Sequence, residues 1–144
     1  MNIQIIEDIK EALQVIIKCP QTDDTVLRLK SYIELFDEKI KAKKGEDFEL
    51  VNIQDVLYFE AVDNRTFLYT ADDAMEIKQR LYELEEMLSD KDFVRISKSQ
   101  IVNINKIKSL KPELNRTILA TMCNGERLSI SRRYVQAIKN ILSI

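Results

Sequence analysis

The sequence predicts a mainly β protein with a few helices, its antiparallel strands preceded by a short strand-and-helix N-terminal segment. Three observations lead there. Beyond about residue 45 the apolar residues shift from helical spacing to short runs at period two, about eight of them. Turn-formers such as Asp63-Asn64, Asp72-Asp73 and Asn124-Gly125 separate those runs. Helical spacing is confined to stretches near residues 23–40, 80–88 and 131–142. Many short strands with few helices make an antiparallel β domain.

In chain order, Ile3–Ile6 and Leu13–Lys18 are short apolar runs with β-branched content, and Cys19-Pro20 ends the second; both read as strands. Thr22 or Asp23 then caps a helix whose apolar stripe is Val26, Leu29, Ile33, Phe36 and Ile40. The stripe is nearly heptad-spaced, so it packs on its own strands or on a second copy. Lys41–Asp47, charged and carrying Gly45, is the plausible boundary. It divides residues 1–44, a dimerisation or regulatory element, from a β domain at 45–144. In that domain Glu49–Val51, Val56–Ala61, Thr66–Thr70 and Ala74–Lys78 read as strands. An amphipathic helix, Arg80–Leu88, carries Leu81, Leu84 and Leu88 on one face. Strands resume at Phe93–Ile96, Gln100–Asn103, Lys108–Leu110, Thr117–Cys123 and Arg127–Ile130. Asn124-Gly125 between the last two is a strong hairpin signal, because both central residues of a type I′ turn need positive φ. A last helix runs from Ser131 to about Leu142, with Val135, Ile138 and Leu142 inward.

Composition excludes more than it selects. At 144 residues and 45% hydrophobic content the chain holds one core, or one core plus a short appended piece. No apolar run is long enough to span a bilayer, and the N-terminus lacks the basic start and apolar stretch of a secretion signal. Cys19 and Cys123 lie far apart and read as buried, reduced thiols, so the expected address is cytoplasmic. There is no histidine, no metal-ligand spacing, no glycine-rich phosphate loop and no nucleophile elbow; no enzyme, metal, cofactor or small-molecule substrate is expected.

Charge does select. Residues 45–92 carry 4 basic and 14 acidic side chains, whereas residues 93–144 carry 10 basic and 2 acidic ones. A cationic third within a near-neutral chain is the sequence form of a polyanion-binding face, unless folding sets it against the acidic third. Two segments sharpen this. Phe93-Val94-Arg95-Ile96-Ser97-Lys98-Ser99-Gln100 ends a strand in cations, hydroxyls and an amide, side chains that contact phosphates or base edges. Ser131-Arg132-Arg133 sets two arginines in the first turn of a helix, where each opposes the macrodipole by roughly 0.3–1 kcal/mol. The placement makes sense if an anion arrives there, or if one arginine pairs with an acid from residues 45–92.

From about Gly45 to Leu142 the chain resembles the LytTR DNA-binding domain family of bacterial regulators. The phrases that carry the resemblance are Asp55-Val56-Leu57-Tyr58-Phe59-Glu60-Ala61, Leu81-Tyr82-Glu83-Leu84-Glu85, and Phe93 to Ser99 with Ile101-Val102-Asn103-Ile104-Asn105-Lys106-Ile107. Asn124-Gly125-Glu126-Arg127-Leu128 and Ser131-Arg132-Arg133-Tyr134-Val135 complete them in the same order. The resemblance implies an elongated antiparallel β-sheet fold that presents loops to successive major grooves of double-stranded DNA. Carried over position by position, it implies DNA contacts from Asn64, Arg65 and Thr66, from Arg95, Ser97, Lys98 and Ser99, and from Arg132 and Arg133. Lys98 and Arg133 are expected at base edges, most naturally guanine O6 and N7. Arg95 either joins these contacts or is turned inward by its own strand to an acid such as Glu60. Relatives often carry His or Asn in the first two contact regions; this chain has no His, which leaves the recognised sequence open. The resemblance further implies a stand-alone homodimeric regulator on a repeated site, without a receiver domain and regulated by a small membrane protein partner. The alternative reading is a protein-interaction module that keeps the fold and works by binding a partner.

Overall fold

In the computed structural model, which describes residues 1–144, the first regular element begins where the capping pattern placed it. The Asp23 carboxylate accepts the Val26 N–H (3.0 Å) and opens helix α1, Asp24–Glu34. Before it the chain forms no helix or strand. Ile3–Ile6 and Leu13–Lys18, expected as strands, find no ladder partner in this chain; their one local feature is a turn in which Asp8 accepts the Glu11 and Lys10 N–H groups. A strand run becomes a strand only where a neighbour pairs its backbone.

Helix α1 stops at Glu34, short of the expected stripe. Phe36 is exposed and Ile40 belongs to strand β1, Lys39–Lys44. In β1 Ile40 and Ala42 are buried while Lys39, Lys41 and Lys43 face water, a period of two that the helical spacing of Ile40 had masked. Gly45, expected at a domain boundary, sits at φ 62° in the turn between β1 and β2, Asp47–Asn52. Strand β1 is therefore hydrogen-bonded into the sheet that follows it.

The remaining elements follow closely as expected. They are β3 (Tyr58–Val62), β4 (Arg65–Tyr69), β5 (Ala74–Ile77), α2 (Leu81–Met87), β6 (Phe93–Arg95) and β7 (Gln100–Asn103). Then come β8 (Ile107–Pro112), β9 (Ile118–Met122), β10 (Arg127–Ile130) and α3 (Arg132–Leu142). Seven strands form one antiparallel sheet in the order β2-β1-β5-β4-β3-β7-β6, and β10-β9-β8 form a second. Two single-turn 3-10 helices, at Ile53–Asp55 and Ile104–Lys106, each follow an asparagine that accepts the N–H two residues on.

Alternation along β3 explains how two cores form on one sheet. Phe59 points to the face covered by α2, where it packs with Leu68, Met75, Leu81, Leu84 and Ile101. Tyr58 points to the opposite face, where Val102, Ile96, Ile118, Met122, Ile130 and Ile138 close a second core beneath the smaller sheet and α3. A polar chain crosses that second layer. Tyr58 stacks on Tyr69 at 4.3 Å, its hydroxyl donates to Glu126 (2.7 Å), and the Tyr69 hydroxyl donates to Glu60 (3.1 Å). Burial first, and the Glu126 carboxylate second, push the Tyr58 phenol well above its usual range; burial and Glu60 raise Tyr69 in the same way.

A raised tyrosine keeps its neutral form in the folded state, whereas the unfolded phenol ionises near pH ~10. Its contribution is thus complete below that pH and is lost as pH climbs towards the folded value. Urea midpoints should therefore fall between pH 9 and 11, and Tyr58→Phe should flatten that fall while lowering the neutral-pH midpoint. An equal alkaline slope in wild type and Tyr58→Phe would remove Tyr58 as its source.

Candidate nucleic-acid interface

Backbone bonds draw the three predicted contact segments together from separate parts of the chain. Asp63 and Asn64 both have positive φ (48° and 63°), as a type I′ turn requires, and they close the β3–β4 hairpin in two residues. At the same end of β3, the Ala61 N–H donates to the Ser99 carbonyl (2.9 Å), which seats the β6–β7 loop beside that turn. The loop in turn anchors the last helix. Ser131 stands at the N-cap position, but its hydroxyl does not cap: both its N–H and its hydroxyl donate to the Ile96 carbonyl, each at 2.9 Å.

Each candidate side chain then has a defined place. Asn64 is exposed, and its carbonyl accepts from Arg80 Nη1 (2.5 Å). Arg80, which the sequence reading did not select, adds a cation at this turn through that bond. Arg65 is exposed but engaged, because Glu76 of the neighbouring strand receives its Nε (2.8 Å) and Nη2. That carboxylate holds the Arg65 guanidinium above its usual range, and Arg65 holds Glu76 below the usual carboxylate range. Thr66 is 3% exposed, since alternation along β4 turns it to the interior beside Leu68. It cannot face a ligand and leaves the contact set.

Arg95 turns inward, though not to Glu60. Its Nη1 meets Glu85 of α2 (2.9 Å), its Nε the Ser97 carbonyl (2.9 Å) and its Nη2 the Lys98 carbonyl (2.5 Å). Glu60 instead receives Tyr69 and Gln100. Arg95 is thus a brace that shapes the β6–β7 loop from behind. The Ser97 hydroxyl accepts the Ser99 N–H (3.2 Å), tightening the same loop, and Lys98 is left exposed at its tip with no ion-pair partner.

Arg132 and Arg133 are both exposed, and neither makes an ion pair. No acidic residue lies in the first turn of α3, and the Ser131 hydroxyl is spent elsewhere, so the helix start presents two guanidinium groups and free N–H groups together. The wider charge question is answered by the same bonds. Of the 10 basic side chains in residues 93–144, Arg95 is the one in an ion pair, so the acidic third does not neutralise the basic one. Acidic pairs elsewhere are partly used internally: Asp73 meets Lys44 (2.9 Å) and Glu85 meets Arg95.

Both cysteines are exposed, contrary to expectation. Cys19 lies in the extended N-terminal stretch, and Cys123 opens the β9–β10 loop, where no core reaches it. That loop also differs from the expected type I′ turn. Gly125 alone takes positive φ (92°), the Asn124 side chain accepts the Glu126 N–H, and Met122 pairs with Glu126 across three residues. No helix is long and apolar enough to cross a membrane.

An antiparallel fold of this kind, which joins polar and basic loops of its sheets to the start of its last helix, defines a class of loop-presenting β domains. Comparison with known proteins narrows it. A family model described as the LytTr DNA-binding domain matches residues 46–143. The solved LytTr DNA-binding domain of a methyl-accepting/DNA response regulator from Bacillus cereus superposes with a TM-score of 0.70 at 31% identity, covering 74% of this chain and 97% of that one. An HTH-type transcriptional regulator of Staphylococcus aureus is 32% identical over 130 residues, 89% of this chain and 88% of its own length. The sensory transduction protein LytT of Bacillus subtilis is 30% identical over 106 residues; that match spans 74% of this chain and 44% of LytT. The chain belongs to the LytTR DNA-binding domain family, whose members here are bacterial, and its class is that of DNA-binding transcription regulators.

Proposed function

We propose that the chain binds a specific sequence of double-stranded DNA and regulates transcription through the surface made by the Asp63-Asn64 turn, the Ser97–Ser99 loop and the start of α3. One observation carries the reading: three segments far apart in sequence are bonded into one surface whose free cations, Lys98, Arg132 and Arg133, have no acid to satisfy them. Lys98 and Arg133 reach base edges, Arg132 and Asn64 sit nearer the phosphates, and Arg95 with Ser97 and Ser99 hold the loop in shape. Arg65, already held by Glu76, contributes least.

The N-terminal stretch supports action as a homodimer. Ile3, Ile5, Ile6, Leu13, Val15 and Ile16 are all exposed there, apolar side chains that a second copy would cover. The segment ahead of β1 then serves association or regulation, with a small membrane protein as one regulator of that kind, and the sheets that begin with β1 read DNA.

Selection from random duplex DNA at near-physiological salt tests the reading, with the Lys98→Ala/Arg133→Ala double variant in parallel. The wild type should enrich a motif present as two copies, and the double variant should not. Salt-sensitive binding without enrichment would make the chain a backbone binder, and absence of binding would favour a protein-interaction module.

A further inference from the structure

The start of α3 has a second basic neighbour, outside the three contact segments. Ile130, the last residue of β10, pairs with Ile118, and Ile118 pairs with Pro112, so the β8–β9 loop lies at the same end of the small sheet as Ser131. Two strand spacings, about 10 Å, separate them. Lys111 and Arg116 flank this loop; both are exposed and neither makes an ion pair, although Glu113 lies between them in sequence. Leu114 at the tip is fully exposed, so nothing on the protein covers the loop.

The small sheet contains its own control for what stands here. Its two hairpin loops share one construction. Glu113 pairs with Thr117 as Met122 pairs with Glu126, and the Arg116 N–H returns to Glu113 as the Gly125 N–H returns to Met122. Asparagine takes the middle position in both, accepting the N–H two residues on. The third position has positive φ in both, 68° and 92°. In one loop it is glycine, which adopts that conformation without steric cost; in the other it is arginine, which does not. Loop closure therefore does not account for the arginine, and no partner on the protein does either.

We propose that Lys111 and Arg116 form a fourth contact, clamping the DNA phosphates that flank the groove faced by the start of α3. The proposal rests on the DNA-binding reading above and extends it to a segment outside the three loops. The four segments follow one another through named bonds: the Asp63-Asn64 turn to Ser99 by way of Ala61, Ile96 to Ser131, and Ile130 to Pro112 by way of Ile118. Phosphates are the assigned ligand because the free groups here are cations and the Asn115 amide oxygen is already held by Thr117; a base contact by Arg116 would instead lower the preference between the duplexes.

The experiment is anisotropy of wild type, Arg116→Gly, Arg116→Asn and Lys111→Ala/Arg116→Gly on the selected duplex and on random duplex across a salt series, with thermal melting alongside. Each single variant should lose roughly 3- to 10-fold in affinity on both duplexes, leaving the preference between them unchanged. The double variant should reduce the slope of log affinity against log salt by about 1.8 for each bound protomer. The melting temperature of Arg116→Gly should equal or exceed that of the wild type, because glycine relieves the positive φ. Wild-type affinity and slope in the variants would overturn the clamp while the DNA reading stands, as would an affinity loss that merely follows a lower melting temperature. A wild type that binds neither duplex would overturn the DNA reading, and the clamp with it.

Discussion

Ile96→Ala should lower the unfolding free energy by about 2–5 kcal/mol and loosen the DNA surface at the same time. Ile96 is fully buried in the core between the two sheets and α3, so its truncation leaves a cavity lined by groups that collapse only in part. Its backbone does more than its side chain. The Ile96 N–H donates to Gln100 (3.0 Å), closing the β6–β7 loop, and its carbonyl holds both donors of Ser131. A shift of this residue moves Lys98 relative to Arg133, and binding that depends on both suffers from small misplacements. Met75→Ala provides the comparison. Met75 is also buried, but in the other core, on β5. Both variants should shift denaturation midpoints by similar amounts, yet under conditions where both remain folded only Ile96→Ala should weaken binding to the selected duplex. Equal affinity in the two would mean that the Ile96–Ser131 junction does not position the site.

That junction marks how far the sequence could be read. Strands from β2 onward were visible because alternation and turn residues are local signals, and α3 was visible because its stripe is regular. Strand β1 was not, since Ile40 fits both a helical stripe and a two-residue alternation, and only the pairing of Lys39–Lys44 with β2 decides between them. The two 3-10 turns had a signal that went unused. Val51-Asn52-Ile53 and Val102-Asn103-Ile104 repeat one phrase, and the asparagine performs the same capping in each. Arg95 shows the limit on the site. Its inward turn followed from its place on a strand, but its partner, Glu85, comes from a helix, and no spacing in the sequence brings those residues together. Thr66 was misplaced for a related reason: the hairpin turn ends at Asn64, so the alternation of β4 restarts at Arg65 and turns Thr66 inward. Charge along the chain, by contrast, survived folding, because most of the basic third lies in the Lys98 loop, the small sheet and α3, while the ion pairs of the acidic third are mostly with cations of its own or of the N-terminal segment.

Arg133→Ala should cost about 1–3 kcal/mol on the selected duplex, a loss of roughly 5- to 150-fold, and much less on random duplex. The asymmetry follows from what a guanidinium can do at a base edge: two donors at fixed geometry match guanine O6 and N7, and a wrong base leaves them unpaired. Stability should move in the opposite direction. In the free protein Arg133 opposes the dipole of α3 and has no acid beside it, so its removal should leave the melting temperature unchanged or slightly higher. The Tyr134 ring lies 5.6 Å from the guanidinium carbon, a contact too exposed to reverse that sign. Arg133→Lys separates the two forms of recognition. Lysine keeps the charge but not the fork, so a base contact should suffer nearly as much as with alanine, whereas a phosphate contact should be largely retained. Equal losses on selected and random duplex in Arg133→Ala would assign Arg133 to the phosphates and leave Lys98 as the residue that reads the sequence.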